Sequence, residues 1–312
     1  MPLTDRDADP SVATADEPVV LPDPDPAARP VTSAAAGAAP SAGTGGTRGR
    51  RQRPLWRIRG DISPAWRITL ATVGVLAILA AWTLAANSIE SGGALLPSPG
   101  ATVTALEKMW TEGTLLTDLW ASAERILIGY SISVAIGVVV GIAIGSFATF
   151  EALLEAPFGF LRYIPATALT PLFLLWLGIG ESPKIWLIVV GTVFFNILMV
   201  ADVARAVPRE LLNASYTLGA GRRRILRRVI LPHSVPGIVD VARINLAAAW
   251  LMLVVAELLA AEEGLAYQIV RAQRFRAVDT MFALLIVFGI IGLVSDLFLR
   301  WFRNRVAPWD RP

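Results

Sequence analysis

The residues with the strongest chemical character lie in one basic stretch, LGAGRRRILRRVILPHSVPGI, at residues 218–238. Five arginines fall within Arg222–Arg228, and Pro232 and Pro236 follow them. A cluster of guanidinium groups can hold a helix against anionic lipid headgroups. Long runs of leucine, valine, isoleucine and alanine flank the stretch on both sides. The pattern predicts a short basic loop that interrupts a membrane-embedded chain.

Residues and motifs typical of metal sites, catalytic sites and nucleotide-binding sites are scarce along the chain. There is no cysteine and His233 is the single histidine, so thiolate metal sites, histidine clusters and a Ser-His-Asp triad lack their ligands. The nucleotide-binding pattern G-x-x-x-x-G-K-[ST] is absent, because GIGESPK at residues 178–184 lacks both the second glycine and the hydroxyl. We therefore expect no metal, no cofactor and no enzymatic activity on this chain.

The composition predicts a membrane protein with a separate tail. Hydrophobic residues make up 54% and charged residues 17% of the 312 residues, and the mean hydropathy is +0.57. Residues 1–53 have no aromatic residue and no apolar periodicity, which predicts a disordered cytoplasmic tail. Residues 54–312 are the expected membrane domain, and no feature favours nucleic acid as a partner.

Windows with few charges locate six predicted transmembrane helices, which makes the expected fold an all-α membrane protein. The predicted spans are residues 68–89, 126–149, 163–180, 185–203, 237–259 and 280–300. With the N-terminus inside, the cytoplasmic segments from Arg48 onward hold nineteen basic residues and the external segments hold six. This bias predicts that both termini and the basic loop face the cytoplasm.

The basic loop connects the fourth and fifth predicted spans and has internal structure of its own. Residues 210–218 read as a short helix that Gly219 ends. The arginine stretch reads as a second, amphipathic helix with Ile225, Leu226 and Val229 on one face, which Pro232 terminates. Such a unit either docks on a soluble partner or lies on the lipid headgroups as an anchor.

The loop resembles the EAA loop of ABC-transporter permease subunits. Gly219, Val229, Leu231 and Pro232 occupy the glycine, apolar and Leu-Pro positions of that pattern without gaps. Asn213-Ala-Ser stands where Glu-Ala-Ala is usual, and Glu210 lies one helical turn earlier. Three further segments, at residues 95–106, 163–185 and 254–269, are similar to permeases for nitrate, sulfonate and taurine, and the resemblance spans about residues 90–305.

The resemblance implies a permease that imports a small anion, drawing energy from a separate cytoplasmic ATPase that binds ATP and magnesium. It also implies an external substrate-binding protein. Because ATP sites form between two ATPase subunits, it implies a second permease copy as well, most simply in a homodimer. The implied ATPase-coupling residues are Glu210, Asn213, Ala214, Ser215, Leu218, Gly219, Ala220, Arg222, Leu231 and Pro232.

Polar residues within the spans are candidates for the translocation path because they are costly in lipid. They are Asn196 in the fourth span, and Asn245 and Glu257 in the fifth. The alternative function is an ion-coupled secondary transporter that uses Glu257 or Asp296 as its carboxylate. That alternative predicts an inverted repeat, which the sequence does not show, and leaves the basic loop without a role.

Overall fold

The structure, a computed structural model, describes residues 63–88 and 95–310. The predicted tail at residues 1–53 lies outside this part of the chain. Within the described residues all regular structure is helical, in agreement with the predicted fold class. Five of these helices are long and apolar enough to cross a membrane, and a sharply bent helix pair adds a sixth crossing if it counts as one span.

The five long apolar helices are α1 (Pro64–Ser88), α3 (Thr114–Ser146), α6 (Glu181–Arg205), α9 (Leu231–Ala260) and α11 (Val278–Val306). Shorter helices lie between them. These are α2 (Pro99–Thr111), α4 (Ala148–Leu161), α5 (Thr170–Leu177), α7 (Arg209–Thr217), α8 (Arg222–Ile225) and α10 (Leu265–Arg274). A 3-10 turn, Ala166–Leu169, precedes α5, and a π-helical turn, Leu226–Ile230, joins α8 to α9.

Helices α3 and α6 run parallel and in close contact along a stripe of glycines. A Cβ atom added at Gly137 would lie 2.6 Å from Asn196 Cβ, and one at Gly141 would lie 2.6 Å from the Ile197 carbonyl oxygen. Such distances are shorter than van der Waals contact, so only glycine allows the two backbones to approach this closely. The glycine stripe therefore packs within the chain.

Helix α9 packs antiparallel to α6 and completes a three-helix core. Gly237 of α9 lies against Val203, near the end of α6, and Gly191 of α6 lies against Met252. Helix α11 covers α9 on its other side, with the rings of Trp250 and Phe288 in an edge-to-face pair. The core thus has two ends, which we name by residue: the Arg125 end, near the start of α3, and the Arg205 end, at the close of α6.

The third predicted span differs from the structure. Instead of one helix over residues 163–180, helix α4 and the segment Ala166–Leu177 meet at a bend of 80°. Pro165 adopts an extended conformation at the break and lacks the N–H that a helix interior uses. A charge-free window could not include α4, because Glu151, Glu155 and Arg162 lie within or beside it.

The fifth predicted span, residues 237–259, also differs from the structure. Pro232 does not end the arginine-rich helix, so the helix of this span begins earlier than predicted. The chain is helical from Arg222 through Ala260 without a break. At the π-helical turn the Leu231 N–H bonds to the Leu226 carbonyl, five residues back. Pro232 lies in the first turn of α9. We attribute the tolerance of this proline to the wider π-helical turn, which changes the hydrogen-bonding register just before it.

At the Arg125 end, a cluster of charges ties α3, α6 and α9 together, in which Arg125 and Glu257 are buried and Glu181 is exposed. The Arg125 guanidinium donates to both carboxylate oxygens of Glu181, at 2.5 and 2.9 Å, and to Glu257 Oε1 at 2.8 Å. Lys184 donates to Glu181 as well, at 2.9 Å. Arg125 and Glu257 are 5% and 1% exposed, so each compensates a charge that water does not reach.

The same cluster caps the first turn of α10. Asp118 accepts a hydrogen bond from the Gly264 N–H, Ser122 from the Leu265 N–H and Glu257 from the Ala266 N–H, each at 2.9 Å. These N–H groups have no partner within the helix, so the side chains satisfy them. We call the set Asp118, Ser122, Arg125, Glu181 and Glu257 the clasp.

We expect Gly141→Ala to lower the free energy of unfolding by about 1–3 kcal/mol, because the added methyl group overlaps Ile197 and Val200. Thermal denaturation of the purified protein in detergent measures the change. Gly74→Ala in α1 is the matched control, since a Cβ there has no neighbour within 4 Å. Equal melting temperatures for the two variants would contradict the close packing of α3 on α6.

We expect Arg125→Gln to destabilise the protein by about 3–5 kcal/mol, because Glu257 then keeps a buried charge without its partner. The double variant Arg125→Gln, Glu257→Gln removes both charges and is expected to recover part of the loss. Lys108→Gln is the control: its pair with Glu112 is 3.9 Å long and exposed, and contributes about 1 kcal/mol at most. The melting temperatures of the single variant, the double variant and the control are compared. If Arg125→Gln alone were as stable as the double variant, the pairing of Arg125 with Glu257 would be refuted.

Candidate functional site

The loop between α6 and α9 forms a helical knob at the Arg205 end. Helix α7 spans Arg209–Thr217, one residue earlier at each end than the predicted helix. Gly219 follows with a φ of 75°, a left-handed conformation that favours glycine. The Ala220 N–H bonds back to the Ser215 carbonyl at 3.0 Å and closes the turn. The predicted sharp reversal at Gly219 is therefore present.

One face of the knob packs onto the helical core. Leu212 of α7, together with Ile225 and Ile230 of the arginine-rich segment, joins a cluster that includes Val200 of α6 and Val241 of α9. Ile225 is 3% exposed. The apolar side of the amphipathic segment thus contacts protein, and the knob is attached directly to two of the long helices.

The opposite face of the knob is open. Glu210, Ala214 and Leu218 follow one another at four-residue spacing, so they share a side of α7. All three are exposed, and Leu218 is 85% exposed. Arg222 and the four other arginines of the stretch are exposed as well, so the knob presents a leucine beside a dense positive charge.

The ten predicted coupling residues occupy one continuous region that extends from α7 to the start of α9. Asn213 and Gly219 are exposed, Ser215 is partly buried, and Ala220 is partly buried against the core. Leu231 and Pro232 lie in the first turn of α9, where Leu231 is exposed and Pro232 is partly buried. The structure therefore brings the predicted residues together, and their role in coupling stays a prediction.

Two of the three predicted path residues, Asn196 and Asn245, belong to a buried polar ladder. Asn245 Nδ2 donates to Asn196 Oδ1 at 2.8 Å, and Asn196 Nδ2 donates to Ser133 Oγ at 2.9 Å. Thr192 Oγ1 donates to the same hydroxyl at 2.7 Å. The ladder crosses from α9 through α6 to α3, and its members are at most 7% exposed. Its hydrogen bonds hold the three helices in register.

Glu257, the third predicted path residue, lies in the clasp rather than beside the ladder. Both of its carboxylate oxygens have hydrogen-bond partners: Oε1 accepts from Ser122 and Arg125, and Oε2 accepts from the Ala266 N–H. A Cβ at Gly264 would lie 2.5 Å from the carboxyl group, so the chain comes very close to it. The assignment of these three residues to the translocation path stays a prediction.

Sequence reasoning did not identify the partners of these residues. Asp118, Ser122 and Arg125 lie four and three residues apart, a spacing that places them on one helical face. That spacing, just before a charge-free window, was the available signal for the clasp. Ser133 and Thr192 carried only a weak signal, because single hydroxyl residues within spans are common and bond to their own backbone.

Comparison with known proteins identifies relatives over most of the chain. A probable ABC transporter permease of Brucella abortus (strain 2308) is 36% identical over 220 residues, which cover 70% of this chain and 88% of the relative. The taurine transport system permease TauC of Escherichia coli (strain K12) is 35% identical over 257 residues, which cover 79% and 92%. Other relatives are named as permeases for aliphatic sulfonates and for nitrate import.

The fold has a counterpart among solved structures. The described helices are similar to a chain of the MetNI methionine ABC transporter in an inward-facing conformation, with a TM-score of 0.56 and 23% identity, over 64% of this chain and 97% of that chain. Residues 133–308, more than half of the chain, match the family model for the binding-protein-dependent transport system inner membrane component. The chain therefore belongs to that family, as an inner-membrane permease of the nitrate, sulfonate and taurine type.

Proposed function

We propose that this permease forms the translocation pathway for a small anion, that an external binding protein delivers the anion, and that a separate cytoplasmic ATPase drives the transport. Family membership carries the proposal, because the relatives are subunits of binding-protein-dependent import systems. The sequence itself contains no phosphate-binding loop, so energy from ATP has to reach the chain through a partner.

The knob is the proposed contact with the ATPase. Its exposed face, with Leu218 at its tip, has the form of a short helix that enters a groove on another protein. The opposite face packs against α6 and α9 through Leu212, Ile225 and Ile230. A displacement of the knob by the ATPase would therefore move these helices as rigid bodies instead of bending a flexible loop.

The orientation follows from the distribution of charge. The excess of Lys and Arg on one side favours a cytoplasmic location for the Arg205 end, the basic knob and both chain termini. Helices α3 and α6 are parallel, which agrees with this arrangement because the bent pair returns the chain across the membrane between them. The Arg125 end then faces outward, toward the binding protein.

The assembly we propose contains two permease copies. ATP sites form between two ATPase subunits, and each ATPase requires a knob, so a twofold homodimer is the simplest closed arrangement. The proposed substrate class is a sulfonate, taurine or nitrate-like anion. Its support is the 35% identity to a permease named for taurine transport.

The ion-coupled alternative finds little support in the structure. It requires a carboxylate within the membrane domain that can take up and release an ion. Glu257 is engaged by Arg125 and two further donors, and Asp296 is engaged by Arg243 at 2.9 Å and by Arg300 at 3.4 Å. Both candidate carboxylates thus serve as structural ion-pair partners between or along helices.

We expect Leu218→Asp to abolish co-purification with the ATPase, because a carboxylate would replace the apolar tip that enters the groove. Tagged permease is isolated from its native membranes, and ATP hydrolysis in the eluate is measured. Leu95→Asp is the control, since Leu95 is 72% exposed and lies outside the loop. Full ATP hydrolysis with the Leu218→Asp variant would refute the proposed contact.

We expect Gly219→Val to weaken the same association, because a β-branched residue at a φ of 75° costs about 1–2 kcal/mol and reorients α7. Gly219→Asn is the matched variant, since asparagine adopts the left-handed conformation more readily. Substrate uptake into vesicles, compared with permease abundance, measures the coupling. If valine and asparagine variants transported equally, the turn would have no role in coupling.

A further inference from the structure

A cavity of about 360 Å³ lies at the Arg125 end, between the close of α9 and one face of α10. Helix α10 contributes Tyr267, Val270, Arg271 and Arg274, at a spacing that places all four on one side of the helix. Pockets of roughly 300–1,000 Å³ are typical of small-molecule sites. The volume is therefore sufficient for a small organic ion.

The charges around the cavity are positive on balance. Both Arg271 and Arg274 are exposed, and among the described residues neither guanidinium has a carboxylate within 4.0 Å. Asp118 is one acidic neighbour of Arg271, and its carboxylate already accepts the Gly264 N–H.

The acidic residue in the cavity wall does not cancel these charges. Glu257 lines the cavity, but its carboxylate is 1% exposed and is paired with Arg125 inside the clasp. The clasp also fixes the first turn of α10 through three backbone hydrogen bonds. The arginine-bearing face of α10 is thus held in a defined position relative to α9.

Apart from the Tyr267 hydroxyl, the remaining lining residues are apolar. Leu258 of α9 and Phe275, just after α10, face the cavity together with Val270. Guanidinium groups bind oxyanions through paired, charge-assisted hydrogen bonds, and the apolar wall suits a short alkyl group. A small alkanesulfonate presents both parts, an oxyanion at one end and an alkyl chain at the other.

We infer that this cavity is an entry site for small alkanesulfonate-type anions, in which Arg271 and Arg274 bind the sulfonate oxygens. The inference rests on the proposed function, which places the Arg125 end on the outer side. An anion that leaves the binding protein would meet this site before it reaches the helical core. The clasp beneath it keeps the site preformed, which reduces the ordering cost of binding.

The test uses trifluoromethanesulfonate as the probe, observed by fluorine NMR, with the full permease–ATPase complex in maltoside detergent. We expect saturable binding to the wild type and a dissociation constant at least tenfold higher for Arg271→Gln, Arg274→Gln. Arg276→Gln is the matched control, because Arg276 is an exposed arginine on the same segment that does not line the cavity. We expect its dissociation constant to change less than twofold.

Two further measurements test how the arginines bind the anion and whether a lipid headgroup occupies the cavity instead. Arg271→Lys, Arg274→Lys keeps the charges but removes the paired hydrogen bonds, and we expect an intermediate affinity. In nanodiscs that contain phosphatidylglycerol, binding is expected to persist. If the anionic lipid abolished it, the cavity would be a headgroup site and the inference would be overturned.

The inference also fails if the wild type shows no saturable binding, or if the double glutamine variant binds as well as the wild type. Its failure is distinguishable from failure of the proposed function. Loss of binding with the ATPase still attached would remove only the entry site. An unaffected ATPase association in the Leu218→Asp variant would contradict the proposed coupling and leave the binding result intact.

Discussion

The close contact between α3 and α6 is the constraint on which the other features depend. Lipid tails are as apolar as leucine, so helices in a membrane associate through packing and hydrogen bonds rather than the hydrophobic effect. Gly137 and Gly141 remove the side chains that would separate the two backbones. The approach brings Ser133 within hydrogen-bond distance of Asn196. It also sets the register in which Arg125 meets Glu181 at the end of the same helix pair.

The two ends of this packed core carry opposite kinds of chemistry. At the Arg125 end, paired charges are buried and they cap α10. At the Arg205 end, the arginines of the knob are exposed and apolar residues such as Ile225 connect the knob to the core. Arg125 and Gly145 are separated by about 30 Å of continuous helix, roughly the thickness of a bilayer core. A rigid element of that length can relate events on the two sides of a membrane.

The basic loop shows how far local rules reach. Glycine at position 219 predicts the reversal after α7 correctly, because the left-handed conformation is a local property of that residue. The proline rule failed at Pro232, where the preceding π-helical turn changes the hydrogen-bonding register and the helix continues. The charge-free window failed for the third span, because charged residues at the Arg205 end belong to helix α4: Glu151 and Glu155 bond to Arg205 of α6.

The sequence by itself determined the membrane class, the approximate positions of five long helices and the turn at Gly219, because each depends on composition or on neighbours within a few residues. Only the tertiary structure decided which polar groups meet. Arg125 and Glu257 are 132 residues apart, and Asn196 and Asn245 are 49 apart. Their pairing follows from which helices are adjacent and whether these run parallel or antiparallel. Successive spans alternate in direction, but spacing along the chain contains no information about which of them are adjacent.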